Sequence, residues 1–417
     1  MNFLTHEHIQ TLRAEFGTPV YVYDQKQLET AAREVLAFPN AYGLTARYAM
    51  KALPTAAIVQ ILSGRGLHID ASSGFEAERA MLAGVPPERI QISAQELPLN
   101  LKGLVERGVL FNACSLEQLD AYGRIFPGCE VSVRINPGLG SGHNNRTNVG
   151  GPASSFGIWH EHLDEILALQ RRRDLRITRM HTHIGSGGDP EAWKHCARLS
   201  LSIAARLPEV TRLNLGGGFK VGRMPDETSA NLAEIGNALL DDFRDFAKAH
   251  GRELHLEIEP GTYLVAGAGA IVANVNDVVD TGDDGYTFAK VDTGMTEFLR
   301  PNLYGAQHPI SIFPADPKAA RDEIDVLVSG HCCESGDMLT PAPGDPEGLA
   351  PRRLQRPVIG DSIVIGGAGA YCSGLAASHY NSFPQAPEVL LTPNGDFRLI
   401  RRRQTLEQIL SNELTAE

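Results

Sequence analysis

The chain has 417 residues, 42% apolar and 21% charged, and its 38 basic against 50 acidic side chains leave a formal net charge of -12. That composition excludes a generally disordered chain. The acidic balance, with one short basic run at Arg401 to Arg403, excludes the clustered positive face that a nucleic-acid partner requires.

In chain order, Met1 to Arg13 holds two histidines and a glutamate where a secretory leader needs a charged start and an apolar run, so a cytoplasmic location is expected. Pro19-Val20-Tyr21-Val22-Tyr23 alternates like a strand and is expected to join a β-domain built by the far end of the chain. From about residue 46 to 260, short apolar or β-branched runs alternate with helical patterns. The strand candidates are Ala46 to Ala52, Leu67 to Ala71, Ile90 to Ala94, Leu110 to Ala113, Glu130 to Ile135, Ile177 to Ile184, Arg212 to Leu215 and Glu253 to Glu259. They number about eight, which closes a parallel barrel. Helical stretches at Pro54 to Ser63, Gly74 to Ala83, Leu116 to Ile125, Asp189 to Leu207 and Leu232 to His250 carry apolar positions near i, i+3 and i+4.

The longest uncharged stretch, Pro260 to Asn276, is broken by glycines and falls short of the roughly 20 apolar residues that span a bilayer, so no membrane partner is expected. Beyond it, Tyr286 to Val291, Ile324 to Ser329, Ser362 to Ile365 and Glu388 to Leu391 read as strands. Pro393-Asn394-Gly395-Asp396 predicts a hairpin turn, and Thr405 to Leu414 a terminal helix. The expected fold is α/β: a (β/α)8 TIM-like barrel over residues 27–276 plus a mostly β second domain made of residues 1–26 and 277–417. Six cysteines without a CxxC pair read as reduced thiols, and no metal site is expected.

In such a barrel the reactive groups sit where strands end. Lys51 ends the first strand among apolar neighbours that would desolvate its amine and ready it to condense with a carbonyl; alone it reads as a surface lysine. Met180-His181-Thr182-His183-Ile184 puts two histidines on one face, suited to lie beside a planar ring. Gly216-Gly217-Gly218 follows the seventh strand, where barrels often cradle a phosphate, although a glycine triplet is as often a plain turn. Glu257 and Glu259 point to one side of the eighth strand; a carboxylate there pairs either with a barrel cation or with a protonated ring nitrogen. Lysine, ring neighbour, phosphate cradle and carboxylate together describe a pyridoxal phosphate site.

At those residues the chain resembles the diaminopimelate decarboxylases, barrel-plus-β-domain enzymes of the alanine-racemase-like group. The resemblance runs through Pro19 to Asp24, Arg134-Ile135-Asn136-Pro137-Gly138, His181 to Gly187, Gly216 to Gly218, Glu259-Pro260-Gly261 and Val291-Asp292-Thr293-Gly294. It continues through Arg300-Pro301-Asn302-Leu303-Tyr304-Gly305, Cys333-Glu334-Ser335-Gly336-Asp337, Gly369-Ala370-Tyr371 and Tyr380-Asn381-Ser382. It implies pyridoxal 5'-phosphate held by Lys51, with His183 on its ring, Glu259 at its nitrogen, and Ser186, Gly216 to Gly218 and Tyr371 at its phosphate. Asp70, Gly261 and Thr262 would also line the cofactor. Arg300, Tyr304, Glu334 and Tyr371 would contact an amino-acid substrate, and Cys333 would donate a proton. The implied assembly is a homodimer in which Cys333 and Glu334 of one protomer complete the other's site. On the residues alone, Cys333 reads as a buried structural thiol and Arg300 as a surface charge.

The implied reaction is decarboxylation of meso-2,6-diaminopimelate to L-lysine, the last step of lysine biosynthesis. Three positions depart from the family pattern. Thr262 stands where Glu-Pro-Gly is usually followed by arginine, Ser155 where lysine is common, and Phe383 where arginine is common. Thr262 removes one bidentate cation and keeps open another substrate, such as carboxynorspermidine or a basic amino acid. A cofactor-binding homologue without catalysis is the remaining alternative.

Overall fold

The computed structural model describes residues 3–139, 150–183, 187–318 and 321–416. Two units emerge, one of Glu29–Val221 with Thr228–Leu264, the other of Met1–Leu28, Gly222–Glu227 and Val265–Glu417.

In the first unit eight parallel strands close on themselves: Leu44–Ala49, His68–Ala71, Ile90–Ile92, Leu110–Ala113, Glu130–Asn136, Arg176–Thr182, Arg212–Asn214 and His255–Ile258. Pairing of Leu256 with Leu44 and of Ile258 with Ala46 completes the ring. All eight lie where the apolar runs predict them. Most stop a residue or more early, because the chain leaves the ladder as it enters each loop at the mouth. The first strand is the instructive case: it ends at Ala49, and Met50–Ala52 forms a 3-10 turn.

Helices begin where a short polar side chain takes up orphan backbone N–H groups. Ser73 accepts from Glu76 N, Ser115 from Gln118 N, Asp189 from Glu191 N, and Asn231 from Ala233 N and Glu234 N. Two further helices, Leu101–Glu106 and Leu163–Arg173, escaped the sequence reading. One is barely more than a turn long, and the other buries only Leu163, Ile166 and Leu169 and ends in three arginines.

The second unit is built on Gly269–Asp280, a 12-residue strand that pairs with Val20–Asp24, Thr287–Val291 and Ser362–Gly366. It lies partly inside the uncharged stretch and is buried on both faces over its first five residues, so it shows no alternation to read. Val20–Asp24 also pairs in parallel with Glu388–Leu391, as the alternation near the start of the chain predicts. Leu4, Ile9, Leu12, Val20, Val22, Val272, Val364 and Val389 form the core, which the helix His6–Phe16 covers. At the hairpin, Gly395 N donates to Thr392 O and Gly395 has φ +91°, so Pro393-Asn394 occupies the turn and glycine alone takes the left-handed position. The last helix is shorter than expected, Leu406–Leu410, with Thr405 as its cap. No helix among the described residues is long and apolar enough to cross a membrane.

Candidate active site

At the mouth of the barrel, Lys51 occupies the turn after the first strand. Met50 and Ala52 are fully buried while Lys51 is exposed, so the apolar neighbours anchor the turn and do not desolvate the amine, contrary to the expectation. The eighth strand holds this turn from the side. Ala49 N donates to Pro260 O at 3.1 Å, and a Cβ on Gly261 would lie 3.2 Å from Ala49 O. Glycine at 261 is therefore what lets the two loops touch.

Glu259 is buried inside the mouth. Asn214 Nδ2 donates to its Oε1 at 2.6 Å, Gln91 Nε2 donates to the same oxygen at 3.3 Å, and His181 Nε2 stands 3.4 Å from Oε2. Burial, and then the charge of Asp70, push its carboxyl pKa well up, against the opposing pull of Asn214, Lys51 and Arg134. Asp70 is likewise buried, and burial raises its carboxyl against the opposing charges of Lys51, Arg47 and Arg134. Ser132 donates to Asn112, whose amide donates to Nδ1 of His181 at 2.8 Å; that leaves the His181 proton on Nε2, facing Glu259. His181 and His183 stack at 6.4 Å with 17° between their planes, and burial holds both imidazoles well below their ordinary pKa, hence neutral.

The glycine triplet is shaped by close packing. Gly216 has φ +74°, and a Cβ on it would come within 2.6 Å of His183 Nδ1. A Cβ on Gly217 would sit 2.0 Å from the carbonyl oxygen of Glu259. Gly218 O accepts from Gly187 N at 2.9 Å, which joins the two loops that would flank a phosphate. Ser186 lies outside the described residues.

Two residues deeper, Glu257 has the other fate foreseen for these carboxylates. It takes two hydrogen bonds from Arg47, both at 3.3 Å, and Arg212 lies 3.7 Å away. Burial would raise its carboxyl, but Arg47, Arg179 and Arg212 together hold it below the usual range. The cation of the barrel interior claims Glu257 and leaves Glu259 for the mouth.

In the second unit, Cys333-Glu334-Ser335-Gly336-Asp337 forms a loop around the buried Asp337 carboxylate. That carboxylate accepts from Met295 N at 2.7 Å and Cys332 N at 2.9 Å, and a Cβ on either Gly294 or Gly330 would lie 2.2 Å from it. Cys333 N donates to Asn381 Oδ1 at 2.9 Å, with Asn381 in the left-handed region at φ +51°. Cys333 and Glu334 are exposed, so the buried-thiol expectation fails: the motif buries its aspartate and presents its cysteine. Arg300 is half-buried at the start of the helix Arg300–Tyr304, donates from Nε to His308 Nε2 at 3.3 Å, and lies 5.9 Å from the Tyr304 ring. Tyr371 has φ +56°, a strained position of the kind found at functional sites.

The structure thus gathers Lys51, Asp70, His183, Gly216 to Gly218, Glu259 and Gly261 at one barrel mouth, with Thr262 next in the chain. Cys333, Glu334, Arg300, Tyr304 and Tyr371 belong to the second unit. Gln91, Asn112 and Asn214 were missed as candidate residues, and His181 was read only as a ring neighbour and not as a partner of Glu259. Their signal was an amide or imidazole in strands that are otherwise apolar, where a buried polar group needs a specific partner.

The mouth fits an anionic, planar cofactor. Among the described residues, His183 Nδ1 and Asp70 Oδ1 are buried without a hydrogen-bond partner, and the glycines let backbone and the His183 ring approach where a Cβ would collide. A closed parallel barrel carrying these groups on its strand ends, joined to a β-domain, defines the fold-type III class of pyridoxal phosphate proteins. Residues 28–266 match the pyridoxal binding domain of the pyridoxal-dependent decarboxylases. The chain is 37% identical to the diaminopimelate decarboxylase of Streptomyces coelicolor over 96% of its length and 90% of that protein. A crystal structure of diaminopimelate decarboxylase superposes with a TM-score of 0.92 at 33% identity, covering 99% of this chain and 98% of that one. The Helicobacter pylori diaminopimelate decarboxylase complexed with L-lysine gives a TM-score of 0.83 at 26% identity over 96% and 98% of the two chains. The chain belongs to the diaminopimelate decarboxylase family.

Proposed function

We propose that this chain uses pyridoxal 5'-phosphate to decarboxylate meso-2,6-diaminopimelate to L-lysine and CO2. The observation that carries the reading is near full-length similarity to diaminopimelate decarboxylases, extending through the Arg300 to Gly305 motif and the Cys333 to Asp337 loop. The cofactor, when bound, supplies an electron sink for the carbon that loses CO2. Lys51 would anchor it through Nζ, with Asp70 holding that amine, and His183 would lie on its ring as a neutral imidazole. Glu259 would meet its ring nitrogen, where the raised affinity of that carboxyl for protons favours a shared proton. Gly216 to Gly218, Gly261, Ser186, Thr262 and Tyr371 would hold its phosphate end. Arg300 and Tyr304 would take the substrate's distal carboxylate.

Cys333 would deliver a proton from Sγ to the carbon left by CO2, with Glu334 beside it contacting the substrate. Exposure of both in the single chain suits a homodimer in which they complete the partner's site. Work in lysine biosynthesis would be done in the cytoplasm, and its reducing conditions suit six cysteines without paired spacing. Thr262 supports one second reading, decarboxylation of another amino acid such as carboxynorspermidine or a basic amino acid.

The test is CO2 release from meso-diaminopimelate beside those rival substrates; no release from diaminopimelate rejects the proposal. Lys51→Ala should lose the absorbance of the bound cofactor and all turnover. Cys333→Ala should keep the colour and lower kcat. A Cys333→Ala variant as fast as the parent removes the thiol from the mechanism.

A further inference from the structure

A half-buried cation lies in the second unit, outside every motif named in the sequence. Arg223, on the short segment Gly222–Glu227 that leaves the barrel sequence for the other unit, donates from Nε to Gly367 O at 3.1 Å. Its Nη2 is buried and has no hydrogen-bond partner among the described residues. The neighbouring carbonyl, Gly366 O, lies 3.0 Å from Nδ1 of His308, and His308 Nε2 accepts from Arg300 Nε at 3.3 Å. The two arginines are therefore tied by their inner nitrogens to one strand end, Gly366-Gly367. His308 is held neutral by burial and then by both arginine charges, so it spaces them without compensating either.

The local acid is engaged with the backbone of the same segment. Glu227 uses Oε2 to accept from the backbone N–H groups of Arg223 and Met224 at 2.7 and 3.1 Å, which shapes the segment. Burial, then the Arg300 charge, pull the Arg223 guanidinium down to about 9, whereas Cys372, Glu227 and Tyr371 act in the other direction. Two like charges converging on a half-buried site, one with an orphaned N–H edge, favour an incoming anion. A carboxylate accepts from two such forks and restores the charge balance that burial removed.

We propose that Arg223 is the second guanidinium of the Arg300 subsite, a specificity-determining residue that binds the substrate carboxylate remote from the reacting carbon. The inference rests on the proposed function for the identity of the substrate. It deepens that reading, because selection of a dicarboxylic diamino acid over simple diamines would depend on two arginines and not on one.

The experiment uses holoenzyme. Arg223→Gln and Arg223→Lys are compared with the parent for cofactor absorbance, for kcat and KM with meso-diaminopimelate, and for equilibrium binding of two ligands. One is L-lysine, which keeps the remote carboxylate; the other is 1,5-diaminopentane, which has none. Arg223→Gln should bind L-lysine at least about tenfold more weakly and raise KM by a similar factor, the scale of one charge-assisted hydrogen bond. Its kcat, cofactor absorbance and affinity for 1,5-diaminopentane should stay near the parent's, and Arg223→Lys should recover part of the loss. Unchanged L-lysine binding overturns the inference, and so does equal weakening of both ligands, which marks a merely structural role. A parent enzyme that releases no CO2 from diaminopimelate rejects the functional reading instead, a separate result from the ligand comparison.

Discussion

Glu257 and Glu259 stand two residues apart on one strand and face the same barrel interior, yet the structure assigns them opposite work, and paired substitutions to glutamine separate the two. Glu257→Gln leaves Arg47 charged, with its side chain 2% exposed and its carboxylate partner gone. Removing one partner of a buried ion pair costs about 3–5 kcal/mol, a large part of a typical stability of about 5–15 kcal/mol. At about 2–4 °C per kcal/mol for a domain of this size, that is a fall in Tm of about 6–20 °C. Glu259→Gln acts in the other direction on stability. Its carboxyl is raised in the folded state by burial and Asp70, so its contribution is present at low pH and lost as pH rises through that raised value. Glutamine keeps the amide neighbours and carries no such loss, so cofactor-free Glu259→Gln should be at least as stable as the parent at pH 8. Turnover should nevertheless fall by about 10²–10³, the scale of losing one preorganised electrostatic contact. Denaturant titration of the cofactor-free proteins at pH 8, with CO2 release from the reconstituted ones, reads both effects. A Glu257→Gln variant within about 1 kcal/mol of the parent would refute the reasoning, because the pair would then not be desolvated.

Gly217→Ala puts a Cβ 2.0 Å from Glu259 O, a backbone atom that cannot rotate away, so overpacking of about 1–3 kcal/mol and weakened cofactor binding are expected. Gly103→Ala, which meets nothing within 4 Å, is the control, and equal cofactor affinity in the two variants would rule the cradle out. Glu297 accepts from Thr293 and Thr296, and burial raises its carboxyl to about 7. The stability it lends is full below about pH 4.5 and lost as pH climbs through 7. The advantage of Glu297→Gln over the parent should therefore grow by about 3 kcal/mol between pH 4.5 and 8; an advantage independent of pH counts against a buried carboxylate. Asn381→Ala removes the acceptor for Cys333 N, and should lower kcat while leaving cofactor absorbance unchanged. If kcat holds, the loop is positioned by Asp337 alone.

The barrel was legible in the chain because eight apolar runs bounded by turn and capping residues can bury their surface in few ways, and Asn231, Ser115 and Asp189 mark helix starts by local hydrogen bonds alone. Lys51 and Glu259 were legible by position, since strand ends converge at one mouth. Other features depend on contacts between residues far apart in the chain, which no local pattern encodes. Gly269–Asp280 hides its alternation by being buried on both faces over its first residues, and Glu257 parts from Glu259 because Arg47, 210 residues away, lies beside it with Arg179 and Arg212 acting in the same direction. Asn112 sets the tautomer of His181 from another strand, and Asp337 turns its own motif inside out by taking the backbone of Met295. Arg223 had no signal at all. The architecture and the candidate reactive groups could be read from the chain, because periodicity and loop chemistry are local. Which carboxylate is neutralised, which thiol is presented and which arginine keeps an open N–H edge among the described residues were decided by tertiary structure, because burial and charge are properties of neighbours.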